Sequence, residues 1–141
     1  MKIVVNKCFG GFGLSTKAQL RYAELKGFNL YFYKQTKYKH RDGEEEYIKI
    51  NPLKEECYCP YALKVDNGEV TNKLEYKHDE YFSHYDIERT DLDLIKVIEE
   101  LGDKANGEHA ELVVVEIPDG IEYEIDDYDG IESIHEKHRS W

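Results

Sequence analysis

The chain has 141 residues, of which 40% are apolar and 13% aromatic, so it can bury a hydrophobic core and is too aromatic to stay disordered, although 35% of it is charged. Its net charge of −11 argues against nonspecific adhesion to nucleic acid or to an anionic membrane, because both require clustered Lys and Arg. No apolar run reaches the ~18 residues of a membrane-spanning helix, and the apolar start is too short for a signal peptide, so we expect a cytoplasmic protein without membrane contact.

The opening segment predicts a strand, a loop and a helix in immediate succession. Residues 2–8 are rich in β-branched side chains, and a glycine-rich stretch ends that strand. Ser15 is a suitable N-cap for a helix that runs to about Lys26, and Gly27 stands where glycine commonly ends a helix.

The middle of the chain predicts β-structure. Aromatic-rich segments on either side of Asp42-Gly43 predict a β-ribbon with a charged tip. Residues 51–83 are less informative: residues 61–65 predict a short strand, and Asp66-Asn67-Gly68 predicts a turn.

The C-terminal third combines one helix with further strands. Thr90 begins the clearest helix, and Gly102 closes it. Residues 110–118 predict a strand buried on both faces, and residues 121–125 predict a half-buried strand. Residues 129–141 predict a short helix or turn.

Together these elements predict a single α+β domain spanning residues 1–141. Its sheet is mainly antiparallel or mixed and is built from the opening strand, the Tyr-rich ribbon and the two late strands. Two main helices, at about 16–26 and 91–101, pack against this sheet.

Charge is distributed unevenly along the chain. Residues 1–41 contain nine basic residues and one acidic residue, a net charge of +8, whereas the remainder contains ten basic and 29 acidic residues, a net charge of −19. Such asymmetry indicates that the two parts pair with each other, that they pair across a homo-oligomer, or that the basic end binds an anion.

Four segments carry a family resemblance: "NKCFGGFGLS" near the start, "YKHRDGEEEY" and "DIERTDLDLIKVIEELGDKANG" in the middle, and "VVEIPDGIEYEIDDYDGIESIHEKHRSW" at the end. With these segments the chain resembles a family of small, functionally uncharacterised proteins encoded by phages and prophages. The resemblance implies a protein that acts inside a bacterial host cell. It also implies a counter-defence protein that binds a host factor or a small signalling molecule rather than a metabolic enzyme.

The glycine-rich loop is the predicted ligand site. A loop that leads into a helix N-terminus presents unpaired N–H groups and a positive dipole end, which favour an anion. Asn6, Lys7, Gly10, Gly11, Gly13 and Ser15 would frame a small anionic, nucleotide-like ligand, Lys17, Arg21 and Arg139 would neutralise it, and Phe12 would stack on its ring. The glycine spacing matches neither a P-loop nor a dinucleotide fingerprint, so a tight turn is the competing interpretation.

Catalytic and metal sites have weaker patterns. His84 and Asp86 are the candidate catalytic residues, but neighbours in sequence seldom form a triad, and we expect Asp86 to pair locally with Arg89. A zinc site needs four convergent ligands, and of the pairs Cys57/Cys59 and His135/His138 only one is close to the usual ligand spacing, so we expect no metal and no cofactor. The odd number of three cysteines predicts free thiols.

Two further functions compete with ligand binding. The acidic residues Glu122, Glu124, Asp126, Asp127 and Asp129 would suit an acidic interaction protein or DNA mimic that occupies a host defence protein. A small enzyme that processes a nucleotide or an ADP-ribose-like molecule is the other alternative.

Overall fold

A computed structural model describes residues 1–55 and 60–137 of the protein. The backbone divides into two compact units, of which unit 1 comprises residues 1–25 and 84–137, and unit 2 comprises residues 26–55 and 60–83. Helices and antiparallel strands combine in an α+β architecture with two main helices, which confirms the predicted fold class. That residues 1–141 form a single domain stays a prediction.

Eight strands and three α-helices make up the described chain. In chain order they are β1 (Lys2–Asn6), α1 (Thr16–Lys26), β2 (Tyr31–Lys37), α2 (Lys39–Asp42), β3 (Glu46–Ile50), β4 (Tyr61–Leu63), β5 (Val70–Thr71), α3 (Leu92–Leu101), β6 (Leu112–Glu116), β7 (Tyr123–Tyr128) and β8 (Ile131–Glu136). Short 3-10 turns occupy His78–Glu80, His84–Asp86 and Gly102–Ala105.

The strands form three antiparallel sheets instead of the one sheet that we expected. In unit 1, β1 pairs with β6, and β7 pairs with β8; in unit 2 the strand order is β4-β2-β3-β5. On the side of β1 that faces away from β6, the Val4 N–H donates to the Arg89 carbonyl oxygen (2.9 Å) and the Asn6 N–H to the Glu132 carboxylate (2.8 Å). A loop and a side chain thus occupy the edge at which a further strand would pair.

Unit 1 has its core between β1, α1 and α3. The residues at its centre are fully or almost fully buried: Ile3, Val4, Val5, Ala18, Leu94, Val97 and Ile98. On α3 the buried residues recur at helical spacing, because one stripe of the helix faces the sheet.

The cap of α1 is confirmed and that of α3 differs by one residue. Ser15 Oγ accepts the Ala18 N–H (3.1 Å), as an N-cap hydroxyl does. At α3 the cap is Asp91 instead of Thr90, because the Asp91 carboxylate accepts the N–H groups of Asp93 (2.8 Å) and Leu94 (3.1 Å).

Strand β6 is less buried than its sequence predicted. Leu112 is buried, the three valines that follow are half-buried, and Glu116 is exposed. The reason is its position: β6 pairs with β1 along one side and lies at the edge of a two-stranded sheet.

The prediction of a short helix or turn for the C-terminal segment is wrong, because residues Ile131–Glu136 form β8. Asp129 and Gly130 both have positive φ (53° and 93°), and Tyr128 pairs with Ile131 directly across them. This geometry is that of a two-residue hairpin turn, for which Asp-Gly is a preferred sequence. His135 therefore lies on a strand.

Unit 2 contains the predicted ribbon. β2 pairs with β3, but the tip between them is the helical turn α2, which Gly43 ends with a φ of 77°. The predicted strand at residues 61–65 is present as β4, and the Asp66 side chain accepts the Gly68 N–H (2.7 Å) in the predicted turn. Cys57 and Cys59 lie outside the described residues.

Candidate functional site

The glycine-rich loop packs by direct contact between backbones. The Gly107 N–H donates to the Gly13 carbonyl oxygen (2.8 Å), and a Cβ on Gly107 would lie 2.7 Å from the Gly13 carbonyl carbon. A Cβ on Gly130 would lie 2.7 Å from the Gly10 nitrogen and would also collide with Gly11. Glycine is thus needed at positions 107 and 130, because each of them meets the backbone of the loop with no room for a side chain.

Asn6 holds this arrangement together from within. It is fully buried, and its side-chain nitrogen donates to the carbonyl oxygens of Cys8 and Gly130, both at 2.7 Å. Its side-chain oxygen accepts the N–H groups of Cys8 (3.3 Å) and Glu111 (2.9 Å). These four bonds use the hydrogen-bonding capacity of the amide, so Asn6 positions the loop.

The partly buried Arg89 and the buried Glu132 form an ion pair beside the loop. Arg89 donates two hydrogen bonds to the Glu132 carboxylate, at 2.5 and 2.8 Å. The guanidinium carbon lies 3.7 Å from the centre of the Phe12 ring, which is a cation–π contact. Phe12 is buried by this contact, whereas Phe9 is the loop aromatic that solvent reaches, with 59% of its surface exposed. The expected local pair between Asp86 and Arg89 is therefore replaced by the pair with Glu132.

Two other predicted ligand residues also have partners within unit 1. Lys7 Nζ donates to the Glu132 carbonyl oxygen (3.0 Å). Ser15 Oγ donates to the Lys104 carbonyl oxygen (2.6 Å) in addition to capping α1. The loop, α1 and β8 are thereby connected by side chains that the sequence had assigned to a ligand.

The two predicted cations on α1, Arg21 and Lys17, differ in whether they form ion pairs. Arg21 contacts Glu24 (2.6 Å) and Glu100 (3.1 Å), and the hydrogen bond to Glu100 raises the pKa of Arg21 above its ordinary value. Lys17 is exposed and has no ion-pair partner among the described residues. Arg139 lies outside the described residues.

Most cations of the basic opening segment are paired within their own unit. The pairs are Lys2 with Glu99, Arg21 with Glu24 and Glu100, Lys34 with Glu55, Lys37 with Glu44 and Glu46, and Arg41 with Asp42. Of the three interpretations of the charge asymmetry, these contacts favour pairing within the chain. The described part of unit 1 has eight basic and 19 acidic residues, a net charge of −11, whereas that of unit 2 has ten of each.

The excess negative charge of unit 1 is concentrated on the acidic hairpin, which we define as residues 122–136. Its exposed carboxylates are those of Glu122, Glu124, Asp126, Asp127, Asp129 and Glu136. Among the described residues no Lys or Arg forms an ion pair with any of them, and only His135 approaches one, at 3.2 Å from Asp126. Tyr128, at the tip, is 79% exposed.

His84 is the one predicted catalytic candidate with an unusual environment. Its Nε2 is buried and has no hydrogen-bond partner in the described part of the chain. The ring lies against Tyr85 (4.1 Å between centroids) and near Phe12 (6.4 Å), and burial lowers the pKa of His84. Asp86 is exposed, and no described carboxylate hydrogen-bonds to the imidazole. The described residues therefore offer no catalytic triad around His84.

A separate groove of about 840 Å³ lies in unit 1 between the start of β1 and one face of α3. Its apolar floor includes Ile95 and Leu92, and the Lys2–Glu99 ion pair lines one side. None of the ten predicted ligand residues lines it, so its position does not support the predicted site.

Metal and membrane features are not found in the described chain. In residues 1–55 and 60–137, no group of three His, Cys, Asp or Glu side chains is arranged to hold a metal ion. Across the same residues, no helix combines the length and the apolar character that a bilayer requires. His138, like Cys57 and Cys59, lies outside these ranges.

The hairpin was only partly foreseen from the sequence. Its acidic residues were recognised, but the buried Glu132 and the exposed Tyr128 were missed. The sequence signal for both is Asp129-Gly130 between two segments in which apolar and polar residues alternate. Such a pattern predicts a tight hairpin and a strand over residues 131–136.

Comparison of the chain with known protein families, with characterised proteins and with solved structures finds no match.

Proposed function

We propose that this protein binds a basic partner protein through the acidic hairpin. The supporting observation is the clustering of six exposed carboxylates on one hairpin, none of which has a Lys or Arg partner among the described residues, whereas Glu99 and Glu100 on α3 are both paired. Like charges that are close together repel, and a basic surface removes this repulsion when it binds.

The shape of the hairpin suits such a partner. Glu124 and Asp126 alternate with half-buried residues along β7, so their carboxylates point from one face at an interval of about 7 Å, and Glu122 immediately precedes the strand. A regular row of negative charges steers a basic protein into contact, as a nucleic-acid backbone does. Tyr128 adds an exposed aromatic side chain of the type that often anchors interfaces.

The resemblance to phage-encoded proteins implies that this activity takes place in a bacterial host. There the partner would be a host defence protein whose basic surface is occupied by the hairpin, which is the action of a DNA mimic. The protein then acts by occupying its partner and requires no catalysis.

The test compares two variants in which three carboxylates are neutralised. The hairpin variant carries Glu122→Gln, Glu124→Gln and Asp126→Asn, and the matched control carries Glu75→Gln, Asp79→Asn and Glu88→Gln at exposed positions elsewhere. Proteins retained from a bacterial lysate by the wild type are purified, and each is titrated against all three forms at two salt concentrations.

We expect a partner whose affinity falls with rising salt and falls about tenfold in the hairpin variant, with the control unchanged. Equal affinity for the two variants would contradict the proposal, because nonspecific attraction depends on net charge alone.

A second function, binding of a small nucleotide-like ligand beside the loop, has its own supporting observation. The buried Nε2 of His84 has no hydrogen-bond partner among the described residues, and leaving such an atom unpaired costs about 1–3 kcal/mol. A ligand atom that hydrogen-bonds to Nε2 would remove this cost. Gly13 lies next to the imidazole, and the exposed Phe9 belongs to the same loop.

A thermal-shift and mass-spectrometric screen against cyclic nucleotides and NAD-derived molecules tests this second function. A stabilising ligand recovered unchanged supports sequestration, whereas an altered ligand supports an enzyme. The variant His84→Gln should lose the shift while the matched variant His135→Gln keeps it. No shift with any compound would remove this candidate.

A further inference from the structure

The register of the β1–β6 pair determines which backbone groups of β6 face outward. The Ile117 N–H donates to the Met1 carbonyl oxygen, and the Lys7 N–H donates to the Glu111 carbonyl oxygen, both at 2.8 Å. In an antiparallel pair these bonds alternate along the strand, so residues 111, 113, 115 and 117 face β1. The N–H and C=O groups of residues 112, 114 and 116 consequently point away from β1.

Some outward-facing backbone groups of the two-stranded sheet have hydrogen-bond partners, whereas those of Val114 and Glu116 on β6 have none among the described residues. On β1, Val4 and Asn6 are bonded to Arg89 and Glu132, as described above. On β6, the Leu112 N–H donates to Asn106 Oδ1 (2.8 Å). Within the described ranges of the chain, the N–H and C=O groups of Val114 and Glu116 have no hydrogen-bond partner.

The side chains of β6 do not protect this edge. Val113, Val114 and Val115 form an uninterrupted β-branched, half-buried run, and their register with β1 is regular. Natural edge strands are commonly protected by an inserted Lys, a proline or a β-bulge, and the run contains none of these. The edge therefore retains the hydrogen-bonding groups and the apolar surface that an added strand uses.

We propose that the outer edge of β6 accepts an extended segment of the basic partner protein as an added β-strand. Charge selects this occupant, because exposed Glu111 and Glu116 stand at the two ends of the apolar run. An apolar segment with Lys or Arg at both ends places opposite charges beside them. A second copy of this chain would instead bring together two copies of unit 1, whose described residues have a net charge of −11.

The inference rests on the proposed function for the identity of its partner, and it adds a second contact with a different physical basis. The hairpin attracts by charge and depends on salt. The edge binds mainly through main-chain hydrogen bonds, with charge pairs only at its two ends, so its affinity depends less on salt than that of the hairpin.

The probe is a fluorescent seven-residue peptide of alternating Val and Thr with Lys at both ends. Its matched control has the same sequence but carries N-methyl groups on the amides that would pair with β6. We expect binding by fluorescence polarisation, slowed hydrogen exchange at Val114 and Glu116, and affinity about tenfold lower after N-methylation. Equal binding of the two peptides would overturn the inference.

A variant of the protein provides an independent test of the same inference. Val114→Pro removes an N–H that points away from β1, so the β1–β6 ladder keeps its own bonds while the edge loses a donor. We expect weaker peptide binding with the circular dichroism spectrum retained. If this variant does not fold, the comparison of the two peptides with the wild-type protein still tests whether a strand pairs with β6.

The outcomes separate the two proposals. If the hairpin variant loses the basic partner but N-methylation has no effect on the peptide, the edge inference fails and the proposed function stands. If the peptide pairs with β6 but the hairpin variant keeps every partner, the proposed function fails and the edge remains a strand-binding site. A dimer in sedimentation that Val114→Pro abolishes would assign the edge to a second copy and overturn the occupant proposed here.

Discussion

Glu132 lies on β8 and receives two hydrogen bonds from Arg89, at 2.5 and 2.8 Å, while also accepting the Asn6 N–H at 2.8 Å. A single buried carboxylate thus joins β8 to the outer edge of β1 and to the segment that precedes α3. The acidic hairpin is attached to the core of unit 1 through this contact.

The change Glu132→Gln should destabilise the protein by about 2–4 kcal/mol, because it leaves the partly buried Arg89 without a counter-charge. Urea unfolding measures the loss. Glu136→Gln, at an exposed position on the same strand, is the matched control and should change stability by about 0.5 kcal/mol or less. A loss below about 1 kcal/mol for Glu132→Gln would show that the pair is solvated.

The free energy of unfolding should fall as the pH drops below His84's ordinary pKa of 6.5. Burial lowers the pKa of His84 in the folded protein, so below pH 6.5 the unfolded chain takes up a proton that the folded chain does not. This loss ends at the lowered folded-state pKa, and above 6.5 both states are neutral and the effect is absent.

Urea unfolding at several pH values between about 5 and 8 checks this, since most carboxylates stay ionised in that window. His84→Gln should reduce the slope of stability against pH. An unchanged slope in His84→Gln would show that another group is responsible.

Gly130→Ala should cost more stability than Gly120→Ala, although both glycines have positive φ (93° and 80°). An added Cβ at Gly120 meets nothing within 4 Å, so that variant bears only the cost of its backbone conformation, about 1 kcal/mol. At Gly130 the Cβ would also collide with the Gly10 backbone, which cannot move aside as a side chain can. Thermal unfolding of both variants gives the comparison, and equal losses would contradict the close packing of the loop.

For the ligand-binding candidate, Lys17→Gln should weaken any stabilising anionic ligand several-fold and leave the fold intact, because Lys17 is exposed without an ion-pair partner among the described residues. Arg21→Gln also breaks the contacts with Glu24 and Glu100, so its effect on stability, about 0.5 kcal/mol, must be measured first. Titration calorimetry with a compound from the thermal-shift screen measures the affinities. Unchanged affinity in Lys17→Gln would show that this lysine does not contribute to ligand binding.

Much of the secondary structure could be predicted because its signals are local. Ser15 bonds to a residue three positions away, and the capping carboxylate of Asp91 is equally close to its partners. The prediction of a single sheet was wrong, because strand pairing depends on which distant segments meet. β1 pairs with β6 more than 100 positions later.

By itself, the amino-acid sequence determined the α+β class, the extent of the two main helices and the excess of negative charge, because periodicity, caps and composition act over a few residues or over the whole chain. Only the tertiary structure decided which groups are already partnered. Arg89 pairs with Glu132, 43 positions away, instead of with Asp86, and Phe12 is covered by that same guanidinium. Packing decides such pairings, because a buried charge needs a counter-charge wherever the fold brings one within reach.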